Sequence, residues 1–363
     1  MSKPILYLLC ENHFRHTSWG IGLIKSITNE AARQGIMLQY IDDDHPLPAG
    51  EIAVVLGISQ KYLDLPDRLL FAGDTPLKNS SSFSSVSLDR RQAMKEIIHH
   101  LYDRGARRIA LLGTDINVQP DYLRFLGWQE AMQELGIGDG IHHAFHRNAS
   151  SEHFYQEILQ HVHEYDAVAC TNDSIALKLI NILQSHQISV PGDLMVTGFG
   201  NMYLGQWSSP SLTSVHIHLE EVGSQAVHAW KYLMDHPQTR SMHLTLKHNL
   251  IFRESTSDLP RIAKPASPLA HRLFLQNLPP ATPLERIFAC ADITDLRLLR
   301  GIARNLSNEQ LCEETYLSYS AVKRHLSHLY KICDVQSKKE LLDMLHTYIP
   351  RFADEENLNI SKE

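Results

Sequence analysis

The sequence has little that would place it at a membrane or give it a catalytic centre. The apolar run near its start, Ile5–Cys10, is interrupted at once by Glu11. No later stretch approaches the length of a membrane-spanning helix. The spacings of a nucleophile elbow, a zinc protease or a phosphate loop are all missing. These absences predict a cytoplasmic protein that is not an enzyme, needs no cofactor and has no membrane partner.

Cysteine is also scarce, with five residues of that type in 363 and none in a CxxC pair. An odd, scattered set excludes both a disulfide framework and a zinc knuckle. We therefore expect the cysteines to be small buried apolar residues: Cys10, Cys170, Cys290, Cys312 and Cys333. Histidine pairs such as His216 and His218 raise the alternative of a metal site. Zinc needs three or four converging ligands, so we expect no bound metal.

The remaining composition is that of an ordinary globular protein, with 43% hydrophobic and 21% charged residues. A chain of 363 residues fits two or three folding units. The net charge of -7 does not exclude a nucleic-acid partner. Exposed charges are screened beyond roughly 8 Å at physiological salt, so a local basic surface can act on an acidic molecule.

Short apolar runs alternate with amphipathic helical stretches over the first two thirds of the chain. The predicted strands are residues 5–9, 37–41, 52–56, 108–112, 167–170 and 194–197. The predicted helices are residues 20–33, 89–102, 123–135 and 174–183. Repeated strand–helix units imply Rossmann-like parallel sheets with helices on both faces. About 250 residues of this pattern suggest two α/β lobes.

The pattern changes after residue 257, where prolines interrupt any long element until residue 283. The predicted division is a two-lobed α/β domain at 1–257, a Pro-rich linker at 258–283, a helical domain at 284–351 and a disordered tail at 352–363. Helix starts are indicated by capping boxes at Thr282, Ser307 and Ser337. Four apolar stripes in the helical domain are enough for a small all-α core.

Two of these helices are separated only by residues 316–318, with Ser318 placed as the N-cap of the longer one. A short helix, a tight turn and a longer helix form a helix-turn-helix, whose second helix lies in the major groove of DNA. Basic residues on the longer helix suit phosphate contacts, and Lys323 or Arg324 could read guanine. The alternative is that they form the solvated face of a helical bundle.

Residues 306–311 (LSNEQL) and 317–326 (LSYSAVKRHL) resemble the LuxR-type helix-turn-helix. The resemblance implies that Val322 is a core residue and that Lys338 touches the DNA backbone. Ala321 stands where Thr is usual, and Glu309 where a phosphate-contacting Lys often stands. The residues predicted to contact DNA are Ser318, Ser320, Lys323, Arg324, His325 and Lys338.

Several earlier segments resemble LacI-type regulators and the type I periplasmic binding proteins. They are residues 101–113, 124–132, 169–177, 190–199, 210–215 and 250–256. The resemblance implies a two-lobed sensor, with one lobe at about 3–104 plus a returning segment near 218–238, and a ligand cleft at the strand ends. Members of that family carry their DNA-binding helices before the first strand. We expect this chain to carry them at the other end.

The residues predicted to bind ligand are Phe14, Arg124, Asn172, Asp173 and Asn201. Arg124, Asn172 and Asp173 match family ligand positions, and Phe14 could stack on a ring. The structural alternatives are an N-cap role for one residue of the Asn–Asp pair, a surface position for Arg124 and hinge packing for Phe14.

Two departures from the family pattern bear on the ligand, because Gly200 replaces a usual Asp and Ile217 a usual Gln. The effector therefore need not be a simple sugar. The sequence predicts a homodimeric transcriptional regulator that binds double-stranded DNA and a small-molecule effector. The alternative is a ligand sensor or scaffold that uses its C-terminal helices for protein contacts.

Overall fold

The structure is a computed structural model that describes residues 4–10, 12–41, 47–57, 68–74, 83–138, 143–146, 153–257 and 282–353. Its strands are β1 Ile5–Cys10, β2 Met37–Tyr40, β3 Ala53–Leu56, β4 Leu69–Gly73, β5 Ser84–Leu88, β6 Ile109–Thr114, β7 Ala144–His146, β8 Ala167–Cys170, β9 Met195–Gly200, β10 Thr213–His216, β11 His243–Leu246 and β12 Asn249–Ile251. Its α-helices are α1 Asn12–Arg15, α2 Ser18–Arg33, α3 Arg90–Asp103, α4 Gln119–Glu134, α5 His153–Gln160, α6 Asp173–Ser185, α7 Tyr203–Trp207, α8 Leu219–Asp235, α9 Thr282–Cys290, α10 Ile293–Ala303, α11 Asn308–Thr315, α12 Tyr319–Cys333 and α13 Lys338–Tyr348.

The strands form two six-stranded sheets, in the orders β11-β5-β4-β3-β1-β2 and β12-β10-β9-β8-β6-β7. Every neighbouring pair in the first sheet is parallel. Strands β3 and β4 are buried along their whole length, as expected where helices cover both faces of a parallel sheet. The predicted α/β class with two Rossmann-like sheets and a helical C-terminal region is confirmed.

The chain divides into two compact units, each of which draws on separate parts of the sequence. The first comprises Met1–Asp103, Ala110–Phe154 and Val215–Leu250. Helices α2 and α8 cover one face of its sheet around Leu23, Ile27 and Trp230. The second unit comprises Arg104–Ile109, Tyr155–Ser214 and Ile251–Glu363, and it includes the five C-terminal helices.

The C-terminal helices pack around a small apolar core. Its fully buried side chains include Leu298, Leu299, Leu311, Val322 and Leu345. The four predicted helical stripes correspond to α10 through α13, and α9 adds a further helix before them. Ser307 forms the predicted capping box with Gln310, whereas the side chain of Thr282 lies outside the described residues. Residues 258–281 of the predicted linker 258–283 and residues 354–363 of the predicted tail 352–363 also lie outside them. Phe352, at the start of that predicted tail, is instead fully buried in the turn Pro350–Ala353.

Three cysteines are buried as expected and Cys312 is partly buried, but the prediction is wrong for Cys290, which is exposed at the end of α9. Its neighbours Ile287 and Phe288 instead supply the apolar face of that helix. Within the described residues, no group of three or more His, Cys, Asp or Glu side chains converges on a metal position. No helix in the described parts of the chain is long and apolar enough to cross a membrane.

Candidate effector site and nucleic-acid interface

The strand ends of the first unit are packed with aromatic rings. Phe14 follows β1 and lies against Trp19, with 5.7 Å between ring centroids. Its ring fills the space beside Gly57, where an added Cβ would stand 2.3 Å from two ring carbons. Gly57 also has φ +83°, a conformation that favours glycine. Phe14 is half-buried in this packing. This corresponds to the alternative of a packing role at the hinge rather than a role in stacking on a ligand.

Arg124, on α4, belongs to a buried group of four charged side chains in the first unit. Its Nη1 donates to Asp121 Oδ1 at 2.7 Å, and both side chains are 10% exposed. Arg90 and Asp74 form a second buried pair, with 2.6 Å between Nη2 and Oδ1. Burial lowers the pKa of Arg124 to about 10, Asp121 opposes the shift, and Arg90 adds to it. The surface alternative for Arg124 is thereby excluded.

The four side chains form two pairs of opposite charge, which offsets part of the cost of burying them. Asp121 Oδ2 also accepts from the backbone N–H of Asp115 at 3.2 Å, which ties the start of α4 to the loop after β6. A ligand that bonds Arg124 would therefore meet a guanidinium already held in one orientation. Such pre-ordering reduces the entropy lost on binding.

Asp173, at the start of α6 in the second unit, is fully buried. Its Oδ1 accepts from Ser214 Oγ at 2.6 Å, and its Oδ2 accepts from the backbone N–H of Met202 at 2.5 Å. Burial raises the pKa of Asp173 to about 6, although these hydrogen bonds and the charge of Arg253 oppose the shift. Gly198 makes the close approach possible, because a Cβ there would lie 2.1 Å from Asp173 Oδ1. Asp173 thus holds the turn between β9 and α7.

Asn172 is the N-cap of α6, and its Oδ1 accepts from the Ile175 N–H at 2.9 Å. In this geometry Asn172 has the N-cap role predicted as the alternative to ligand binding for one residue of the Asn–Asp pair. Asn201 lies just after β9 with φ +52°, and its Oδ1 accepts from Arg253 Nη2 at 2.7 Å. Burial lowers the pKa of Arg253, and Asp173 opposes that shift. The structure therefore brings Asp173 and Asn201 together around Arg253.

Helices α11 and α12 have the arrangement expected of a helix-turn-helix. Tyr316 ends α11 in the left-handed conformation, with φ +57°. Ser318 then caps α12 by accepting from the Ala321 N–H at 3.3 Å. Leu311 lies close to α10 at Gly301, where a Cβ would stand 2.3 Å from a Leu311 methyl carbon. Val322 is fully buried, as the sequence predicts.

The outer face of α12 carries most of the residues predicted to contact DNA. Ser318, Ser320, Lys323 and Arg324 are all exposed. The Lys323 ammonium lies 5.0 Å from the centre of the Tyr319 ring, a cation–π contact near the start of the helix. This face therefore presents two cations and two hydroxyls at the end of α12 nearest the turn.

Two residues predicted to contact DNA are engaged inside the helical region. His325 is partly buried, and its Nδ1 lies 2.8 Å from Asp295 Oδ1 on α10. Lys338 Nζ donates to the Leu306 carbonyl. Burial lowers the pKa of Lys338, and Glu309 opposes the shift. His325 thus joins α12 to α10, and Lys338 joins α13 to the turn before α11.

Sequence reasoning missed the partners that hold these residues. The sequence did not indicate the buried group around Arg124. Asp74 and Arg90 are distant from Arg124 in the sequence, and Asp121 has the pattern of an ordinary helix residue. Arg253 lies inside a segment that carried the family resemblance, and that position was the available indication of its role. The role of Ser214 could not be predicted from the sequence, because it depends on two tertiary hydrogen bonds. Its hydroxyl donates to Asp173 and accepts from the N–H of Asn201.

Known proteins share this fold and part of this sequence. Residues 98–256 match the family described as periplasmic binding protein-like domain. Two solved structures with similar folds are the transcriptional regulator CelR in complex with cellobiose and the regulator CcpA of Lactococcus lactis. Their TM-scores are 0.63 and 0.60, at 17% and 18% identity; each covers 70% of this chain, and the match spans 84% and 100% of theirs. Residues 98–256 therefore resemble a periplasmic-binding-protein-like domain, and the two solved structures share the fold of this part of the chain.

Curated relatives are transcriptional regulators. The regulator RegA of Clostridium saccharobutylicum is 28% identical over 179 residues, 47% of this chain and 53% of the relative. Catabolite control protein A of Staphylococcus epidermidis is 27% identical over 48% of this chain and 53% of its own. The ribose operon repressor of Escherichia coli is 27% identical over 54% of this chain and 60% of its own. The chain thus spans about half the length of the curated relatives it matches.

Proposed function

We propose that this chain is a cytoplasmic transcriptional regulator that binds a small polar molecule and double-stranded DNA. The observation that carries the proposal is the exposure of Lys323 and Arg324 on the second helix of a helix-turn-helix, in the same chain as a periplasmic-binding-protein-like domain. The named relatives are regulators, which supports the same conclusion and gives no support to an enzymatic role.

The proposed effector is a sugar, a sugar derivative or a similar metabolite that carries hydroxyl or carboxylate groups. Arg124 would hold it with its planar guanidinium, and Asn201 is proposed to contribute an amide group. The CelR structure binds cellobiose, a polyhydroxylated ligand. Gly200 and Ile217 remove two polar groups that sugar-binding members of the family use, so the effector of this chain differs in its hydroxyl pattern. Asp173 does not touch the ligand in this proposal; its buried carboxyl group holds the turn between β9 and α7 in place.

The proposed DNA reader is the LuxR-type helix-turn-helix formed by α11 and α12, and the proposed assembly is a homodimer. A single small reader gives modest affinity, whereas two related by symmetry bind half-sites about 10 base pairs apart. Light scattering checks the assembly: a mass of two chains is expected, and a mass of one chain at DNA-binding concentrations contradicts it.

The DNA-binding test is fluorescence anisotropy with a labelled duplex of mixed sequence, titrated with the full chain at several KCl concentrations. Phosphate contacts make the logarithm of the affinity fall linearly with the logarithm of salt concentration. Lys323→Ala and Arg324→Ala should each weaken binding and lower that slope by about 1. Lys231→Ala, an exposed lysine of α8, makes the same charge change as a matched control. Equal loss in the control and the two variants contradicts the assigned interface.

The alternative, a scaffold whose helical region binds proteins, draws support from the exposed rings of Tyr316 and Tyr319, which are 91% and 46% exposed. It predicts no salt-dependent DNA binding by the wild type. The effector is sought separately by thermal stabilisation with a panel of sugars and sugar acids, because a ligand that binds the native state raises its apparent stability.

A further inference from the structure

An aromatic cluster joins α7 to the C-terminal helices within the second unit. It consists of Tyr203, Trp207, Phe288 and Phe352. Trp207, on α7, lies 5.3 Å from Phe288 and 5.0 Å from Phe352, measured between ring centroids. Phe288 and Phe352 are in edge-to-face contact at 5.4 Å. Three of the rings are buried, with Trp207 4%, Phe288 7% and Phe352 0% exposed, so the contact is closed to water.

An ion pair flanks the cluster. Arg351 Nη1 lies 2.6 Å from Glu254 Oε2, and Glu254 in turn accepts from the backbone N–H of Ser211 at 3.0 Å. The effector domain and the helical region therefore meet through apolar and charged contacts.

The other end of α7 is held by the buried carboxylate described above. Met202 is the N-cap of α7, and its N–H donates to Asp173 Oδ2. Helix α7 is only five residues long, Tyr203–Trp207, and it joins this hydrogen bond directly to Trp207 of the aromatic cluster. A short helix fixed at both ends transmits a shift at one end to the other, because it has no intervening loop to absorb it.

The cluster is well packed but not fully satisfied. The buried Trp207 Nε1 has no hydrogen-bond acceptor among the described residues. A buried donor left without a partner destabilises the arrangement that buries it. That penalty lowers the free energy needed to separate α7 from the helical region, and a ligand shifts such an equilibrium by its differential affinity for the two states.

The contact of α7 with the helical region leaves the surface proposed to face DNA exposed. The cluster uses α9 and the turn Pro350–Ala353, whereas Ser320, Lys323 and Arg324 lie exposed on α12. The contact therefore sets the orientation of the helical region and does not cover its basic face.

We propose that α7 is the element that couples the effector domain to the helical region, with Asp173 at one end and the Trp207–Phe288–Phe352 contact at the other. The coupling itself does not depend on DNA binding. It rests on the proposed function only in naming the helical region as the DNA reader.

The test measures amide hydrogen exchange in the full chain, because exchange reports local opening without any ligand or DNA. Asp173→Ala removes the hold on Met202 and should raise exchange about tenfold in α9 and in residues 350–353. Asp166→Ala is the matched control, because Asp166 precedes β8 whereas Asp173 follows it, and Asp166 is bonded to Arg108 instead. Exchange in α9 and residues 350–353 that stays within twofold of wild type in Asp173→Ala, or rises equally in the control, overturns the proposal.

A second variant covers the case in which Asp173→Ala unfolds the effector domain. Phe352→Leu removes the ring from the helical side, and coupling is reciprocal, so exchange should rise at α7 and at the N–H of Met202. No change there overturns the proposal. Anisotropy with the mixed-sequence duplex, run on the same samples, separates the two claims. Absent DNA binding with intact exchange coupling contradicts the regulator function alone.

Discussion

The buried carboxyl group of Asp173 should make the stability of the effector domain depend on pH in an unusual direction. Its folded pKa is about 6 against an ordinary value of 3.8, because burial disfavours the charged form. A raised pKa contributes stability that is fully present below the unfolded value and is lost as pH rises through the folded value. The difference is about 2 pKa units, which corresponds to about 3 kcal/mol.

The perturbation is Asp173→Asn, which keeps the shape of the neutral side chain and cannot ionise. Near pH 4 the variant and the wild type should have similar free energies of unfolding. Between pH 4 and pH 7.5 the wild type should lose about 3 kcal/mol relative to the variant. Urea denaturation followed by circular dichroism at each pH measures the difference.

Asp166→Asn is the control with the opposite sign. Burial raises the pKa of Asp166, but hydrogen bonds from Arg108 and from two backbone N–H groups outweigh it and hold the pKa below the ordinary value. Its stabilisation is lost only as pH falls, so the control difference should be flat above about pH 5. A pH-independent difference for Asp173→Asn would refute the reasoning.

Two further predictions concern the first unit, each measured by urea denaturation. Arg90→Met leaves a buried carboxylate without its cation and should cost about 3–5 kcal/mol; Arg91→Met, which breaks an exposed pair with Glu130, should cost less than about 1 kcal/mol. Equal losses would contradict the assigned burial. Gly57→Ala drives a methyl group into the Phe14 ring and should cost about 1–3 kcal/mol beyond its backbone strain. Gly35→Ala is the control, because Gly35 has φ +70° and open space around it, so its substitution should cost only the backbone strain of about 1 kcal/mol. Equal losses of stability in the two variants would show that the Phe14 ring moves aside freely.

The sequence predicted the α/β elements whose apolar pattern is plain. Strand β8 has the predicted limits, and α2 and α3 begin within two residues of theirs. Strand β5 was missed because three of the five residues in Ser84–Leu88 are serine, a composition typical of a loop. Its buried serines are satisfied by tertiary contacts: Ser85 Oγ lies 2.9 Å from His243 Nδ1, and Ser84 Oγ accepts from the Met242 N–H. Partners 158 residues away cannot be read from a local pattern.

The candidate site was predictable in outline for the same reason. Turn spacing and caps are local, so the helix-turn-helix and the exposure of Lys323 and Arg324 followed from the sequence. The contact between His325 and Asp295 joins two helices and depends on how they cross. Likewise, the role of Trp207 depends on Phe288 and Phe352, which lie far along the chain. No periodicity in α7 indicates which element its rings meet.

The most direct test of the central claim is selection of bound duplexes from a random-sequence library by the full chain. A regulator that reads bases through α12 should enrich one sequence, arranged as two symmetric half-sites. The double variant Lys323→Ala/Arg324→Ala should lose that enrichment, while Lys231→Ala should retain it. A wild type that enriches no sequence over the starting library, or a double variant that enriches the same sequence equally well, would contradict the account.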